Sequence, residues 1–394
     1  MRRNWSLIVI AFVATLPGIG LRLSGGHVPA GLEAVLFGVA ILGAAFLLTW
    51  AAEVAEMDIS QGLALAFLAL VAVLPEYAVD LYFAAAAAKR PEYTSYATAN
   101  MTGANRLLIG VAWPVIVALY WLQTRKRELR LPANRAVEMV FLSLATLYSF
   151  VIPFKETLSL VDTLVLVGLF VGYMWRIAQS EAGEPDLVGP ALALAALRTR
   201  SRRTLVIVFF IFSAGVILAS AEPFAEALVH LGRGHGIDEF LLVQWLAPLA
   251  SEAPEIVIAC ILTTKGDAQA GMGAMVSSKV NQWTLLVGTL PLIYSVALGQ
   301  PGALHLDPRQ VEEMLLTSTQ SLFGLAVLCN MSLSLSEAAV LFVLFVSQLF
   351  FPSPTVRYGF CLIYATLGLA LLMRKREDAW RLFRAGLQRP TARH

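Results

Sequence analysis

The chain has 394 residues, of which 58% are hydrophobic and only 14% are charged, and its mean hydropathy is +0.71. Soluble globular domains carry about 25% charged residues. The composition therefore excludes a disordered, fibrous or ordinary cytosolic protein and indicates a polytopic membrane protein, with the lipid bilayer as its partner. The formal net charge is only +2, and this near-neutral balance lacks the basic footprint of a nucleic-acid-binding protein.

Apolar segments of about 20 residues, the length that crosses the hydrocarbon core as a helix, recur along the whole chain. They predict an all-α protein with about twelve transmembrane helices. The predicted spans are 5–23, 29–52, 60–89, 96–122, 135–153, 157–177, 204–222, 237–263, 269–299, 309–330, 333–352 and 355–373. A cleaved signal peptide is the alternative for the first span, but the sequence shows no persuasive small-residue cleavage site, which favours a retained anchor.

Basic residues orient these spans in the membrane. They cluster at residues 2–3, 125–135, 198–203 and 374–376, and the last cluster continues into the tail. With twelve spans, all four clusters face the same side. The positive-inside rule makes that side the cytoplasm and places both termini there. We expect an integral protein of a prokaryotic inner membrane.

An internal repeat divides the chain. The step Pro75-Glu76 matches Pro254-Glu255 at an offset of 179, and 107–110 matches 285–288 at an offset of 178. Each repeat holds five spans, an odd number, so the second repeat crosses the membrane in the opposite sense, as in many secondary transporters. Parallel repeats of six spans are the alternative. The predicted organisation is an extra helix (1–28), a first repeat (29–178), a cytoplasmic linker (179–203), a second repeat (204–352) and a final helix with a basic tail (353–394).

Four acidic residues lie near the middle of predicted spans. Glu76 and Asp80 are one helical turn apart in the third span, and Glu252 and Glu255 share a face of the eighth. An ionisable residue at the bilayer centre costs at least ~2.5–3.5 kcal/mol, so it is a functional candidate by default. The two pairs occupy matching places in the two repeats, which favours one shared site over two unrelated structural pairs.

A proline precedes one glutamate of each pair. Pro75 and Pro254 lack an N–H, bend their helices and free carbonyls near residues 72 and 251. Carboxylate, carbonyl, hydroxyl and amide oxygens together suit a hard cation such as Ca²⁺ or Na⁺. A single Pro-Glu step could equally be a structural kink with a paired or snorkelling glutamate, but two matched steps favour a cation site.

At these residues the sequence resembles the sodium/calcium exchanger (cation/Ca²⁺ antiporter) superfamily. The resemblance covers about residues 29–352. Its first motif is 72–76, followed by 100–110, and its second is 251–255, followed by 277–288; the segment 50–56 also looks like the helix that precedes the first motif. The resemblance implies that Glu76 and Glu255 are the paired acidic ligands of the metal ion and that the carbonyls of Ala72 and Ser251 bind it too.

The other ligand positions implied by the resemblance depart in part from the pattern of that family. They fall on Val73, Glu252, Asn100, Ser278, Ala104 and Gln282. Val73 and Ala104 have no ligating side chain, and Glu252 adds a third acid. Because the sodium sites of the family depend on some of the lost groups, coupling to protons is favoured, with Asp80 and Glu252 as candidate proton carriers.

Lys279 stands where the family usually has an asparagine, near the middle of its span. Three interpretations are open. Lys279 is a tethered cation that fills the acidic site when the substrate is absent, it forms a structural salt bridge with Glu252, or it abolishes ion binding. Since burial lowers the pKa of a lysine, it is also a candidate proton carrier.

The remaining membrane charges are expected to be structural. Asp80 is a possible partner for Arg106. Asp162 and Glu337 match at an offset of 175 and lie near predicted helix starts, where an acid favours the helix dipole. The same reasoning applies to Glu138 and Glu312.

These observations predict a secondary active antiporter that exchanges Ca²⁺, or another divalent cation, for H⁺ or Na⁺ by alternating access. Small cations are its substrates, and no cofactor is expected. An enzyme is disfavoured because the metalloprotease, nucleophile-elbow and phosphate-loop motifs are absent from the sequence. The alternatives are a Na⁺/H⁺ exchanger on the same scaffold and a non-transporting membrane homologue whose acids Lys279 neutralises.

Overall fold

The computed structural model describes residues 2–58, 74–179, 187–351 and 353–388. This part of the chain is nearly all-helical. Eight of its helical segments are long and apolar enough to cross a membrane. The chain forms two compact units: unit 1 comprises Met1–Phe83 with Glu181–Ile258, and unit 2 comprises Ala84–Ser180 with Ala259–His394.

Within the described residues, unit 1 is built from apolar helices, four of them long. They are α1 (Arg2–Ser24), α2 (Ala30–Ala55), the first part of α3 (Leu74–Ala87), α9 (Pro190–Ala195), α10 (Thr199–His235) and most of α11 (Glu239–Thr264). α2 packs along both α10 and α1. Gly43 allows the close approach of α1, because a Cβ at this position would lie 2.5 Å from the carbonyl oxygen of Ala11.

Unit 2 contains the remaining helices. They are α4 (Tyr93–Leu107), α5 (Trp113–Thr124), α6 (Ala136–Ser149), α7 (Val151–Lys155), α8 (Leu160–Ile177), α12 (Ala268–Asn281), α13 (Val287–Leu298), α14 (Pro308–Leu328), α15 (Leu335–Leu349), α16 (Pro354–Arg374) and α17 (Arg376–Leu387). Two of its long helices contain a π-helical turn. Leu108–Ala112 joins α4 to α5, and Gln282–Leu286 joins α12 to α13. Such turns are rare, interrupt the regular backbone ladder and often occur at functional sites.

Two short antiparallel sheets also belong to unit 2. β1 (Glu128–Arg130) pairs with β4 (Ser332–Ser334), and β2 (Thr157–Leu158) pairs with β3 (Leu304–His305). A shift of 175 residues moves β2 (157–158) onto 332–333, which lies within β4. It moves β1 (128–130) onto 303–305, which contains β3. The same shift therefore exchanges the two sheets.

The helix starts repeat with the same offset. Ser159 and Asp162 form a capping box at the start of α8, and Ser334 and Glu337 form one at the start of α15. In this arrangement the cap hydroxyl accepts a backbone N–H and the acid accepts the N–H of the cap residue. The structural role predicted for Asp162 and Glu337 is thus confirmed.

Each predicted span overlaps a described helix, but α10 continues to His235, beyond the predicted end at 222. Residues 60–73 of the third span lie outside the described residues. The nearly all-helical structure agrees with the all-α expectation, to which the described part of the chain adds four strands of two or three residues; β2 and most of β4 fall at the starts of the predicted spans 157–177 and 333–352. The linker also contains α9, and α10 begins inside the basic segment 198–203. The tail contains α17, a helix with too many charges to resemble a span.

Candidate cation site

The first acidic pair lies at the start of α3. Glu76 and Asp80 are four residues apart on one face of the helix, and their exposed fractions are 2% and 0%. Pro75 precedes Glu76 directly, in the described part of this helix. Ala72 and Val73 lie outside the described residues, so the predicted carbonyl ligand at Ala72 stays a prediction.

The second acidic pair lies in the middle of α11, which contains two prolines, Pro248 and Pro254. Glu252 is fully buried and Glu255 is partly buried. A proline inside a helix leaves the carbonyl four residues earlier without its usual donor. The hydroxyl of Ser251 donates to carbonyls of the preceding turn, those of Ala247 (3.2 Å) and Pro248 (3.3 Å).

These acids and Ser251 all belong to unit 1, whereas the predicted amide and hydroxyl ligands belong to unit 2. Asn100 in α4, Ser278 in α12 and Gln282 in the second π-helical turn are all buried. Within the described residues, the hydroxyl of Ser278 makes no hydrogen bond. That all these side chains surround one cation stays a prediction.

Lys279 is fully buried in unit 2. Its ammonium donates to the carbonyl oxygen and to Oδ1 of Asn105, both at 2.8 Å, and lies 5.1 Å from the centre of the Trp283 ring. Two acceptor oxygens and an aromatic face all favour a positive charge. The predicted salt bridge with Glu252 would join the two units and stays a prediction, as do the other two interpretations of Lys279.

Lys279 and Asn105 each lie just before one of the π-helical turns. The neighbouring carbonyl of Arg106 accepts a hydrogen bond from the side-chain amide of Gln320 on α14, at 3.3 Å. Backbone carbonyls before the first π-helical turn therefore bind side chains of other helices. Sequence patterns did not predict this use of the carbonyls, since a π-helical turn has no clear signature in a single sequence.

A buried network of charges in unit 2 was also missed. Arg106 pairs with Glu313 at 2.7 Å, and Arg357 of α16 pairs with Glu313 at 3.2 Å and with Glu312 at 2.8 Å. All four side chains are at most 10% exposed. The pairing of Arg106 with Asp80 stays a prediction. A charge inside the twelfth predicted span, Arg357, was the signal that could have revealed the network.

Two other acids of unit 2 also have basic partners. Glu138 pairs with Arg135 at 2.9 Å, one turn earlier, and Asp162 pairs with Lys155.

In unit 1, the hydroxyl of Tyr82 on α3 donates to Glu226 on α10. This bond connects the helix that carries Glu76 to the longest helix of the unit.

Among the residues that the structure describes, no group of three or more histidine, cysteine, aspartate or glutamate side chains could hold a metal ion.

Comparisons with known proteins show what the chain resembles. The model of the sodium/calcium exchanger protein family matches residues 29–178 and 205–353. A solved structure described as the H⁺/Ca²⁺ exchanger CAX is 44% identical, covers 97% of both chains and has a TM-score of 0.94. None of the curated proteins compared with the chain matches it.

Two more distant structures share the fold. Native YfkE is 17% identical with a TM-score of 0.64, over 89% of this chain and 99% of its own. A sodium-calcium exchanger, NCX_Mj, soaked with Na⁺ and Sr²⁺, is 15% identical with a TM-score of 0.55, over 81% of this chain and 97% of its own. Because the family model matches more than half of the chain, the chain belongs to the sodium/calcium exchanger family and is an integral membrane protein.

Proposed function

We propose that this protein is a secondary antiporter that exchanges Ca²⁺ for H⁺ across a prokaryotic cell membrane by alternating access. The observation that carries the proposal is the 44% identity, over 97% of both chains, with a solved H⁺/Ca²⁺ exchanger. Val73 and Ala104 support H⁺ rather than Na⁺ as the coupling ion, because neither side chain can complete the sodium sites of the family.

In the proposed site, Glu76 and Glu255 bind Ca²⁺ directly, and carbonyl, hydroxyl and amide oxygens complete its coordination. Oxygen ligands suit Ca²⁺, which takes six to eight of them in flexible geometry. The burial of Glu76 supports this role, since a buried carboxylate needs a cation or a proton to compensate its charge. Glu252 and Asp80 are the proposed proton carriers.

We further propose twelve spans arranged as two inverted five-helix repeats, with both termini in the cytoplasm. Support comes from the two family matches, whose limits differ from the predicted repeats by at most one residue. The two sheets of unit 2 that a shift of 175 residues exchanges, and the two matched capping boxes, also support the repeat.

The test is ⁴⁵Ca²⁺ uptake into proteoliposomes under an imposed pH gradient, an imposed Na⁺ gradient, or neither. We expect the pH gradient to drive uptake, and both Glu76→Gln and Glu255→Gln to reduce it to background. Glu222→Gln is the matched control, because this exposed glutamate lies in unit 1 and pairs with Arg22.

Each outcome has a distinct meaning. Ca²⁺ uptake driven only by the Na⁺ gradient would show that Na⁺, not H⁺, is the coupling ion. Proton movement driven by Na⁺ without any Ca²⁺ uptake would favour the Na⁺/H⁺ exchanger. Absence of every flux from a folded protein would favour the non-transporting homologue. Wild-type uptake in both glutamate variants would overturn the site.

A further inference from the structure

The C-terminal helix α17 lies outside both segments that the family model matches. It follows α16 after a single residue, Lys375, whose backbone angles (φ −98°, ψ 24°) end the first helix. Lys375 itself is held by the carbonyl of Val327 at 2.9 Å and by Glu337 at 3.1 Å. These contacts hold the junction between α16 and α17 in place.

α17 packs against the ends of other membrane helices of unit 2. It contacts the beginning of α6, where a Cβ at Gly386 would lie 2.6 Å from the carbonyl oxygen of Ala136. At the end of α8, Arg176 donates to the carbonyls of Gly386 (3.1 Å) and Gln388 (2.6 Å). α17 thus lies beside the end of α16, the beginning of α6 and the end of α8. Because the ends of membrane helices lie at the membrane surface, α17 lies there too.

Only part of α17 is covered by the protein. Leu382 and Gly386, four residues apart, form its buried stripe. A second apolar face carries Trp380 and Leu387, which are 59% and 62% exposed. Arg376 precedes Trp380 by one turn and Arg384 follows it by one turn, with its guanidinium 4.9 Å from the ring centre. An apolar face flanked by arginines is typical of a helix that lies in a membrane interface.

The charge of this surface selects the lipid. Arg374, Lys375, Arg376, Arg381 and Arg384 lie within eleven residues, and α17 contacts the turn Ala133–Arg135. Such juxtamembrane clusters on the cytoplasmic side attract anionic lipids. Arg381 and Lys375 are distinct, because Glu377 (3.6 Å) and Asp378 (4.0 Å) lie beside Arg381 and Glu337 (3.1 Å) lies beside Lys375.

We propose that α17 is an interfacial helix that binds anionic phospholipid headgroups of the cytoplasmic leaflet through Arg376 and Arg384. Trp380 and Leu387 enter the boundary between headgroups and acyl chains. The proposal rests on the proposed cytoplasmic location of the C-terminus and does not depend on which ion the protein transports.

The test uses the full-length protein in detergent, titrated with short-chain phosphatidylglycerol, with short-chain phosphatidylcholine or with inorganic phosphate, while its thermal unfolding is measured. We expect phosphatidylglycerol to raise the unfolding temperature at much lower concentrations than phosphatidylcholine. Each basic residue near an anionic surface contributes roughly a factor of five in affinity, so the double variant Arg376→Gln/Arg384→Gln should need about 25-fold more phosphatidylglycerol. The control Arg381→Gln should shift this concentration less than about twofold.

The proposal would be overturned if both lipids stabilised the protein equally, or if inorganic phosphate alone stabilised it as phosphatidylglycerol does. It would also be overturned if phosphatidylglycerol stabilised the double variant and the wild type equally. A second measurement does not depend on the stability of the double variant. The difference in fluorescence between wild type and Trp380→Phe is the signal of Trp380. Phosphatidylglycerol brominated near the headgroup end of its acyl chains should quench this signal. Phosphatidylglycerol brominated near the methyl end should quench it less. Fluorescence of Trp380 that neither lipid quenches would place the residue in water and also overturn the proposal.

Discussion

α2 of unit 1 and α14 of unit 2 are both extensively buried, but they differ in the polarity of the residues that they bury. The fourteen buried residues of α2 are all hydrophobic or glycine. Of the sixteen buried residues of α14, eight are polar or charged: Gln310, Glu312, Glu313, Thr317, Ser318, Thr319, Gln320 and Ser321. Apolar contacts have no directional requirement, whereas hydrogen bonds and ion pairs weaken steeply when their geometry changes.

This contrast predicts different mechanical behaviour in the two units. In unit 1, the ion pair Arg22–Glu222 joins the end of α1 to the middle of α10, and Arg202–Asp58 joins the start of α10 to the turn after α2. In unit 2, polar contacts such as Trp283–Ser321 (2.8 Å) and Ser149–Ser318 (2.8 Å) lie in the interior. We infer that α2 can slide along its neighbours α1 and α10, while α14 keeps a fixed register within unit 2.

Removing one interior charge of unit 2 should have the largest effect. Glu313→Gln takes a carboxylate from between Arg106 and Arg357. We expect it to lower the free energy of unfolding by about 3–5 kcal/mol, the usual effect of leaving a buried charge without its partner. The exposed Glu222→Gln of unit 1 should lower it by less than about 1 kcal/mol. Similar losses in denaturant unfolding would contradict the contrast between the units.

The contact of Lys279 offers a second test within unit 2. Asn105→Ala removes the side-chain acceptor of the ammonium but leaves the backbone carbonyl. A hydrogen bond to a charged group contributes about 1.5–3 kcal/mol, and we expect a loss in this range. Asn4→Ala in unit 1 removes a neutral bond to the carbonyl of Gly189 and should lower stability by about 1 kcal/mol.

A double-mutant cycle with Lys279→Met identifies the origin of this loss. If Asn105 acts on the ammonium, Asn105→Ala should have little effect once Lys279 is replaced. Additive effects of the two substitutions in thermal unfolding would show that the two side chains are not coupled.

The sequence predicted the helices because apolar runs of membrane length have few other structures open to them. It identified Asp162 and Glu337 as helix-start acids because a capping box is local, spanning four residues. It also placed Glu76 and Asp80 on one helix face, since that relation follows from spacing alone.

What the sequence did not predict depends on contacts between distant residues. Arg357 and Glu313 are 44 positions apart, and Lys279 and Asn105 are 174 apart. No single-sequence pattern selects one partner among the 56 charged side chains of the chain, counted as 29 Lys and Arg plus 27 Asp and Glu. The amphipathic α17 was missed because its arginines were assigned to topology alone.

The apolar packing of unit 1 can be tested at the contact between α1 and α2. Gly43→Ala places a methyl group 2.5 Å from the carbonyl oxygen of Ala11. Overpacking typically costs 1–3 kcal/mol, and we expect about 1–2 kcal/mol because α1 can move outward. Gly215→Ala on α10, where no atom lies within 4 Å, should leave stability unchanged or raise it by up to about 1 kcal/mol. A loss above about 4 kcal/mol for Gly43→Ala would show that the contact is rigid.

The smallest effect is expected where ion pairs join the ends of α2 and α10. Arg202 donates two hydrogen bonds to Asp58, both at 2.8 Å, and Arg203 adds one at 3.1 Å. These bonds, those of Arg202 first, lower the pKa of the Asp58 carboxyl below its ordinary value of 3.8. We expect Asp58→Asn to reduce the free energy of unfolding by about 1 kcal/mol at pH 7.

The pH dependence of this loss follows from the direction of the pKa shift. In the unfolded chain the aspartate takes up a proton near its ordinary pKa, whereas in the folded chain it stays charged to lower pH. The stabilisation by Asp58 is therefore complete above about pH 5 and is lost as the pH falls through the lowered pKa of the folded state. Thermal unfolding of wild type and Asp58→Asn should differ by a constant amount between pH 5 and 8 and converge below about pH 4. A difference that persists unchanged at the lowest pH would assign the effect to packing rather than to the charge of Asp58. The end of α2 would then depend on fixed contact geometry, as the interior of unit 2 does.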